Sequence, residues 1–186
     1  MKVSATRQKI IETATSLFYK NGYNLTGINE IIAEAGIAKA TLYSHFKSKE
    51  DICIAYLKYK NDTFIIEIEK FCTTQKKGKA QLVAIFDFLL NFFQSNDFNG
   101  CWCIRTVAEI PSDNEYIRGE IQGQKKDFLK FIEKLTQDNF PEKSQDSVEN
   151  LSKQIYLLYE SAVAESHLHQ DNWPIQTTKE LLIQLI

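Results

Sequence analysis

Apolar positions recur at helical spacing through almost the whole chain, and short turn-forming stretches separate them. From Thr6 to Asn21, the residues Ile10, Ile11, Ala14, Leu17 and Phe18 share one face, and Gly22 follows as a C-terminal cap. Thr26 stands where it can cap a second short helix, which carries Ile28, Ile31, Ile32 and Ala35 and closes at Gly36. A third short helix, from Ala38 to Phe46, sets Leu42 and Phe46 four positions apart so that both can point inward.

The pattern then lengthens. Ser48-Lys49-Glu50-Asp51 reads as an N-cap followed by an acidic first turn, and no breaker intervenes until about Lys77-Gly78. At 1.5 Å per residue that helix would run roughly 40 Å, long enough to link two functional parts. Further helices are expected over about 79–94, 102–110, 114–138, 147–170 and 175–186, with joints at Gly78, in the 95–100 loop, and at Pro111-Ser112-Asp113, Phe140-Pro141-Glu142 and Asn172-Trp173-Pro174. The expected fold class is therefore all-α, with about nine helices. A three-helix head over 1–47 would precede a domain of longer helices over 48–186.

Composition agrees with long helices: only seven Gly and three Pro interrupt 186 residues, of which 44% are hydrophobic. The net charge of −2 hides an asymmetry. Residues 1–50 hold seven Lys/Arg against four Asp/Glu, whereas the rest holds 15 against 20, so an anionic partner would meet the N-terminal end. No apolar run approaches the length of a membrane span, and Met1-Lys2-Val3-Ser4-Ala5-Thr6-Arg7 lacks the apolar core of a signal peptide. A cytoplasmic location without a membrane partner is expected, and the four cysteines then read as reduced thiols.

Two short helices joined by a tight Gly-containing turn, here Ala35-Gly36-Ile37-Ala38, form the arrangement that lays a recognition helix in the major groove. The same features suit any tight helical corner. The segment Ile31-Ile32-Ala33-Glu34-Ala35-Gly36-Ile37-Ala38-Lys39-Ala40-Thr41-Leu42-Tyr43-Ser44-His45-Phe46-Lys47-Ser48-Lys49-Glu50 is more specific, because it strongly resembles the TetR family signature. That resemblance implies a helix-turn-helix DNA-binding domain followed by a helical effector-binding and dimerisation domain. It implies that Lys39, Ala40, Thr41 and Ser44 face bases or nearby phosphates, and that Thr26, Tyr43, His45 and Lys49 hold the DNA backbone. The chemistry is compatible: Lys39 can donate to a guanine edge, Thr41 offers a hydroxyl and a methyl, and Ala40 can touch a thymine methyl. The chain departs from the family pattern at Ala38, where Ser is frequent, and at Ala40, Ser44 and His45. The binding mode transfers, but the operator sequence does not.

Residues 51–140 hold fourteen of the 22 aromatics, which can form core or line an apolar effector cavity. The resemblance implies a small-molecule effector, and Tyr59, Phe86, Trp102, Arg105 and Phe128 are the candidate pocket residues. Arg105, in a mostly apolar helix, can pair with Glu109 one turn on, or face the cavity and suit an acidic ligand. Leu151, Ile155, Leu158 and Ala162 have heptad-like spacing, with Ser161 and Ala164 small enough to admit another helix, and Leu181, Leu182 and Leu185 continue an apolar face in the last helix. These are the expected homodimer interface, with packing inside the chain as the alternative. A dimer of heads predicts a roughly palindromic double-stranded DNA operator.

Other chemistries are poorly served. Cys101-Trp102-Cys103 and His167-Leu168-His169 place their side chains about 200° apart on a helix and chelate badly, so no metal or other cofactor is expected. None of the three His follows a Glu by three positions, and no P-loop, nucleophile elbow or His-Glu-x-x-His pair occurs, so no enzymatic activity is expected. The expected function is a transcription regulator, a repressor released by its effector. The alternative is a helical ligand-binding, redox-sensing or metal-sensing protein with reduced DNA affinity.

Overall fold

The computed structural model describes residues 4–95 and 98–186; residues 1–3 of the N-terminal stretch and Asn96 and Asp97 of the 95–100 loop lie outside the described residues. Nine helices and no strand are present among the described residues, in the order α1 Ala5–Asn21, α2 Ile28–Ala35, α3 Lys39–His45, α4 Lys49–Thr73, α5 Lys79–Gln94, α6 Trp102–Glu109, α7 Glu115–Asn139, α8 Gln145–His169 and α9 Trp173–Leu185. The all-α expectation holds.

Local chemistry sets most helix ends. Ser4 Oγ accepts from Arg7 N at 3.2 Å to start α1, and Gly22, at φ +94°, ends it with an N–H donated to Phe18 O. Ser48 Oγ accepts from Asp51 N at 3.1 Å ahead of α4, and Ser144 Oγ from Ser147 N at 3.3 Å ahead of α8. Pro174 stands in the first turn of α9, where a missing N–H is harmless. The long fourth helix stops at Thr73, a few residues before the Lys77-Gly78 breaker.

The second helix corrects an expectation. Its N-cap is Gly27, and Glu30 reaches back to accept from Gly27 N at 3.3 Å. Thr26 is fully buried instead, and its hydroxyl donates to Gly22 O at 2.8 Å. A methyl-bearing side chain one position before the cap turns into the core, where its hydroxyl closes the α1–α2 turn.

The chain divides into two compact units, which cut it differently from the 1–47 and 48–186 partition. One comprises residues up to Thr63 with Trp102–Gln124; the other comprises Phe64–Cys101 with Lys125–Ile186. The reason is length: α4 and α7, at 25 residues each, begin in the first unit and end in the second. The first unit buries Ile10, Ile31, Leu42, Ile52, Leu57 and Ile117, with the Phe18 ring 5.5 Å from that of Tyr56. The second is built on Phe86, Phe128, Tyr159, Ile155 and Leu182, with Phe128 4.8 Å from Tyr159 and Phe64 5.1 Å from Phe128. Asn139 fastens its edge, accepting from Gly78 N at 2.6 Å and donating to Gln81 Oε1 at 2.8 Å. No helix among the described residues is long and apolar enough to cross a membrane.

Candidate nucleic-acid interface

Gly36 takes the left-handed conformation, φ +61° and ψ +41°, and the Gly36 and Ile37 N–H groups close the end of α2 on Ala33 O and Ile32 O. The chain then reverses into α3, whose N-cap, Ala38, has no side-chain hydrogen bond, as the departure at this position predicts. Leu42, fully buried, and Phe46, 3% exposed, pin α3 to the head, and the Arg7 guanidinium lies 4.7 Å from the centre of the Phe46 ring.

With those two residues turned inward, the rest of α3 turns out. Lys39, Ala40, Tyr43 and Ser44 are exposed, and Thr41 and His45 are half-buried beside them. Ser44 Oγ donates to Thr41 O at 2.7 Å, so its hydroxyl proton is engaged within the helix. Lys49 lies half-buried at the start of α4, with Nζ 3.5 Å from Asn24 O and 4.4 Å from the centre of the Tyr23 ring. Burial lowers the pKa of its ammonium, while the neighbouring negative charge of Glu109 acts the other way.

Thr26 does not join this surface. With its hydroxyl bonded inside the fold, it has no group to offer a phosphate. Thr26→Val is expected to leave the salt dependence of DNA binding unchanged while lowering folding stability by about 1 kcal/mol, the worth of one buried hydrogen bond. Urea unfolding checks the second effect and duplex titration across salt the first.

The candidate pocket residues separate. Phe86 and Phe128 are core residues of the second unit, fully buried and 3% exposed, and this corrects their assignment as pocket lining. They fill the space between helices because Phe64, Tyr159 and Phe131 pack edge-on or stacked against them. Tyr59, Trp102 and Arg105 belong to the first unit. Trp102 and Arg105 are half-buried there, and Tyr59 is exposed. Trp102 Nε1 donates to Gln124 Oε1 at 3.4 Å, and Lys60 Nζ lies 5.1 Å from the Trp102 ring. Arg105 donates to Tyr19 O, while the Glu109 carboxylate accepts from Asn24 N at 2.6 Å. The expected partner of Arg105 is thus engaged with the α1–α2 turn.

The expected dimer residues divide too. Leu151, Ile155, Ala162 and Leu182 pack inside the chain, in the core of the second unit, which corrects their assignment to the interface. Leu158 and Leu185 line an apolar groove between α8 and α9 together with Gln154, Leu157, Leu181 and Gln184. The outer face carries its own sequence signal: Gln154, Leu157, Ser161, Ala164 and Leu168 also have heptad-like spacing, and all five are exposed. Leu157 and Leu168 on that stripe are exposed by 64% and 71%.

The cysteines are unequal. Cys53, Cys72 and Cys103 are buried, whereas Cys101 is half-exposed with its Sγ 3.3 Å from Lys125 Nζ. Burial pushes the Cys53 and Cys72 thiols up to about 12. No group of three or more His, Cys, Asp or Glu that could hold a metal occurs among the described residues.

Comparison with known proteins agrees with this geometry. Residues 10–56 match the family described as bacterial regulatory proteins, tetR family. The fatty acid metabolism regulator protein of Bacillus subtilis (strain 168) is 29% identical over 125 residues, 67% of this chain and 63% of that protein. An HTH-type transcriptional regulator of Staphylococcus aureus (strain bovine RF122 / ET3-1) is 34% identical over 86 residues, 46% of each chain. The chain thus spans about half to somewhat under two thirds of these curated relatives. Among solved structures, a TetR-family transcriptional regulator from Streptomyces coelicolor superposes with a TM-score of 0.86 at 23% identity, covering 98% of this chain and 88% of that one. The reduced form of Escherichia coli NemR gives 0.84 at 18% identity, covering 97% of each. Those two likenesses establish the shared fold. With the helix-turn-helix built on Gly36, Leu42 and Phe46 and matched over the same residues, residues 10–56 form a head similar to that of the TetR family of bacterial regulatory proteins.

Proposed function

We propose that this protein is a sequence-specific DNA-binding transcription regulator, acting as a homodimer that represses from a roughly palindromic operator and is released by a small-molecule effector. The observation that carries the reading is α3 itself: anchored by Leu42 and Phe46, it presents Lys39, Ala40, Tyr43 and Ser44 to solvent on one short helix after a left-handed Gly36. Lys39, Ala40, Thr41 and Ser44 serve the bases, and Tyr43, His45 and Lys49 the backbone. The dimer forms through the outer faces of α8 and α9 around Leu157, Leu158, Leu181 and Leu185. Arg105 and Lys60, with Trp102 and Tyr59 nearby in sequence or space, favour an acidic effector, and the relative from Bacillus subtilis has fatty acid metabolism in its name. The effector acts by favouring the arrangement of the two heads that fits the operator less well, and DNA affinity falls by the difference in its affinity for the two states.

Selection of duplexes from a random or genomic pool tests this reading. The native protein is expected to enrich a palindrome, and the Tyr43→Ala plus Lys49→Ala variant to enrich none. No enrichment at low salt by folded native dimer would refute it.

A second reading, sensing through a thiol, is favoured by one contact: Cys101 Sγ lies beside a Lys125 ammonium that is also 2.6 Å from both Glu160 oxygens. N-ethylmaleimide is expected to alkylate Cys101 first in the folded protein, with Cys53 and Cys72 slower by at least about tenfold, as peptide mass spectrometry would report. The buried thiols also make alkaline stability predictable. Native Cys53 and Cys72 keep protons that the unfolded chain gives up near the ordinary thiol value. Their contribution is therefore intact below pH 9 and is lost as pH rises towards 12. The urea midpoint should fall between pH 8 and pH 10.5, and fall less in Cys72→Ala.

A further inference from the structure

The turn between α1 and α2 is held by α6 at more than one point. Asn24 N donates to Glu109 Oε2 at 2.6 Å, and Asn24 Nδ2 donates to the Glu109 main-chain oxygen at 2.7 Å. The Asn24 carbonyl accepts from Lys49 Nζ at 3.5 Å, and the same ammonium lies 4.4 Å from the centre of the Tyr23 ring. Four positions before Glu109, Arg105 donates to Tyr19 O near the end of α1. All of these residues lie within the first compact unit. The carboxylate comes so close to the turn that a Cβ on Gly22 would stand 2.5 Å from Glu109 Oε1, at a φ of +94° that already favours glycine.

We propose that Glu109 is a positioning residue for DNA binding: through Asn24 it fixes the α1–α2 turn and, with it, the place of the Lys49 ammonium, so that the phosphate contact of Lys49 depends on α6. This rests on the DNA-binding reading above and extends it to a residue outside the helix-turn-helix. Lysine is among the side chains that lose most freedom when ordered, so an ammonium already held between a ring and a carbonyl gives up less on meeting a phosphate. Both donor groups of Asn24, its main-chain N–H and its side-chain amide, go to Glu109. A shift of α6 that broke these bonds would release the turn and the lysine together. The dependence also offers a route by which a change at α6 reaches the DNA backbone without touching α3.

The test uses the full chain and the palindromic duplex selected by the native protein, titrated across salt. Glu109→Ala is expected to weaken binding about fivefold to tenfold and to reduce the slope of log affinity against log salt by about one, the share of one phosphate contact, as Lys49→Ala does. Glu109→Gln, whose amide oxygen can still accept the Asn24 N–H, should recover most of the loss. The double variant Glu109→Ala plus Lys49→Ala should bind no worse than Lys49→Ala alone, because both changes remove one contact. Additive losses, or an unchanged salt slope in Glu109→Ala, would overturn the proposal. Should Glu109→Ala fail to fold, Asn24→Ala carries the same comparison with Lys49→Ala. A native protein that selects no duplex refutes the DNA-binding reading itself, whereas a selected duplex held equally well by the Glu109 variants refutes only the role of Glu109.

Discussion

Replacing Leu157 and Leu181 together by aspartate is expected to turn a dimer into a monomer at micromolar concentration while leaving the fold intact. Both side chains line the groove between α8 and α9, exposed by 64% and 43%, so the change removes apolar area without opening a cavity. Covering one leucine in an interface is worth about 1.5–3 kcal/mol, and a two-fold axis doubles each change. Buried and unpaired carboxylates add a further penalty. Sedimentation equilibrium reads the association, and thermal melting should show the monomer still folded. Operator affinity should fall by about two orders of magnitude or more, because two linked heads profit from each other's binding and a single head does not. The contrasting substitution is Ile155→Ala, which lies in the core and is expected to cost about 2–5 kcal/mol of folding stability. If the aspartate variant stays dimeric, the interface lies elsewhere on the chain.

Phe86→Ala is expected to have the largest effect on stability. The ring is fully buried, with Tyr159 at 6.1 Å between centroids, and its removal leaves a void that helices cannot close without moving. Phenylalanine truncation at such a site costs about 3–5 kcal/mol, which for a chain of this size lowers the melting temperature by roughly 6–20 °C. Trp102→Ala, in a half-buried position bonded to Gln124, should cost less. The pair of measurements distinguishes packing from pocket: a Phe86 variant as stable as the native protein would mean that the ring lines a cavity rather than fills the core.

Much of the fold is legible in the sequence because helix ends are marked locally. Gly22, Gly36 and Gly78 stand at ends that need positive φ, and all three have it. Ser48 caps α4 as its spacing requires, and the four-residue step from Leu42 to Phe46 pins α3 as expected, whereas Ser144 starts α8 ahead of the expected 147. Thr26 departs from its expected place because threonine serves equally well as a cap and as a buried hydroxyl. The choice depends on whether the Gly22 carbonyl comes within reach, and that is a matter of how the turn closes.

Which segments are helices and where the sharp turn falls depend on neighbours within a few positions, so the order of amino acids suffices for them. Which of two heptad-like stripes on α8 is core and which is surface depends instead on packing. Leu151, Ile155 and Ala162 have the same spacing rule as Leu157, Ser161 and Leu168, and what separates them is the side from which α5 and α9 approach. Packing likewise makes Phe86 and Phe128 fill a core rather than line a pocket, and turns Glu109 to Asn24, 85 positions away in the chain. Helical periodicity fixes a residue's direction relative to its own helix axis, but burial and pairing depend on what packs against that face, which local spacing does not encode.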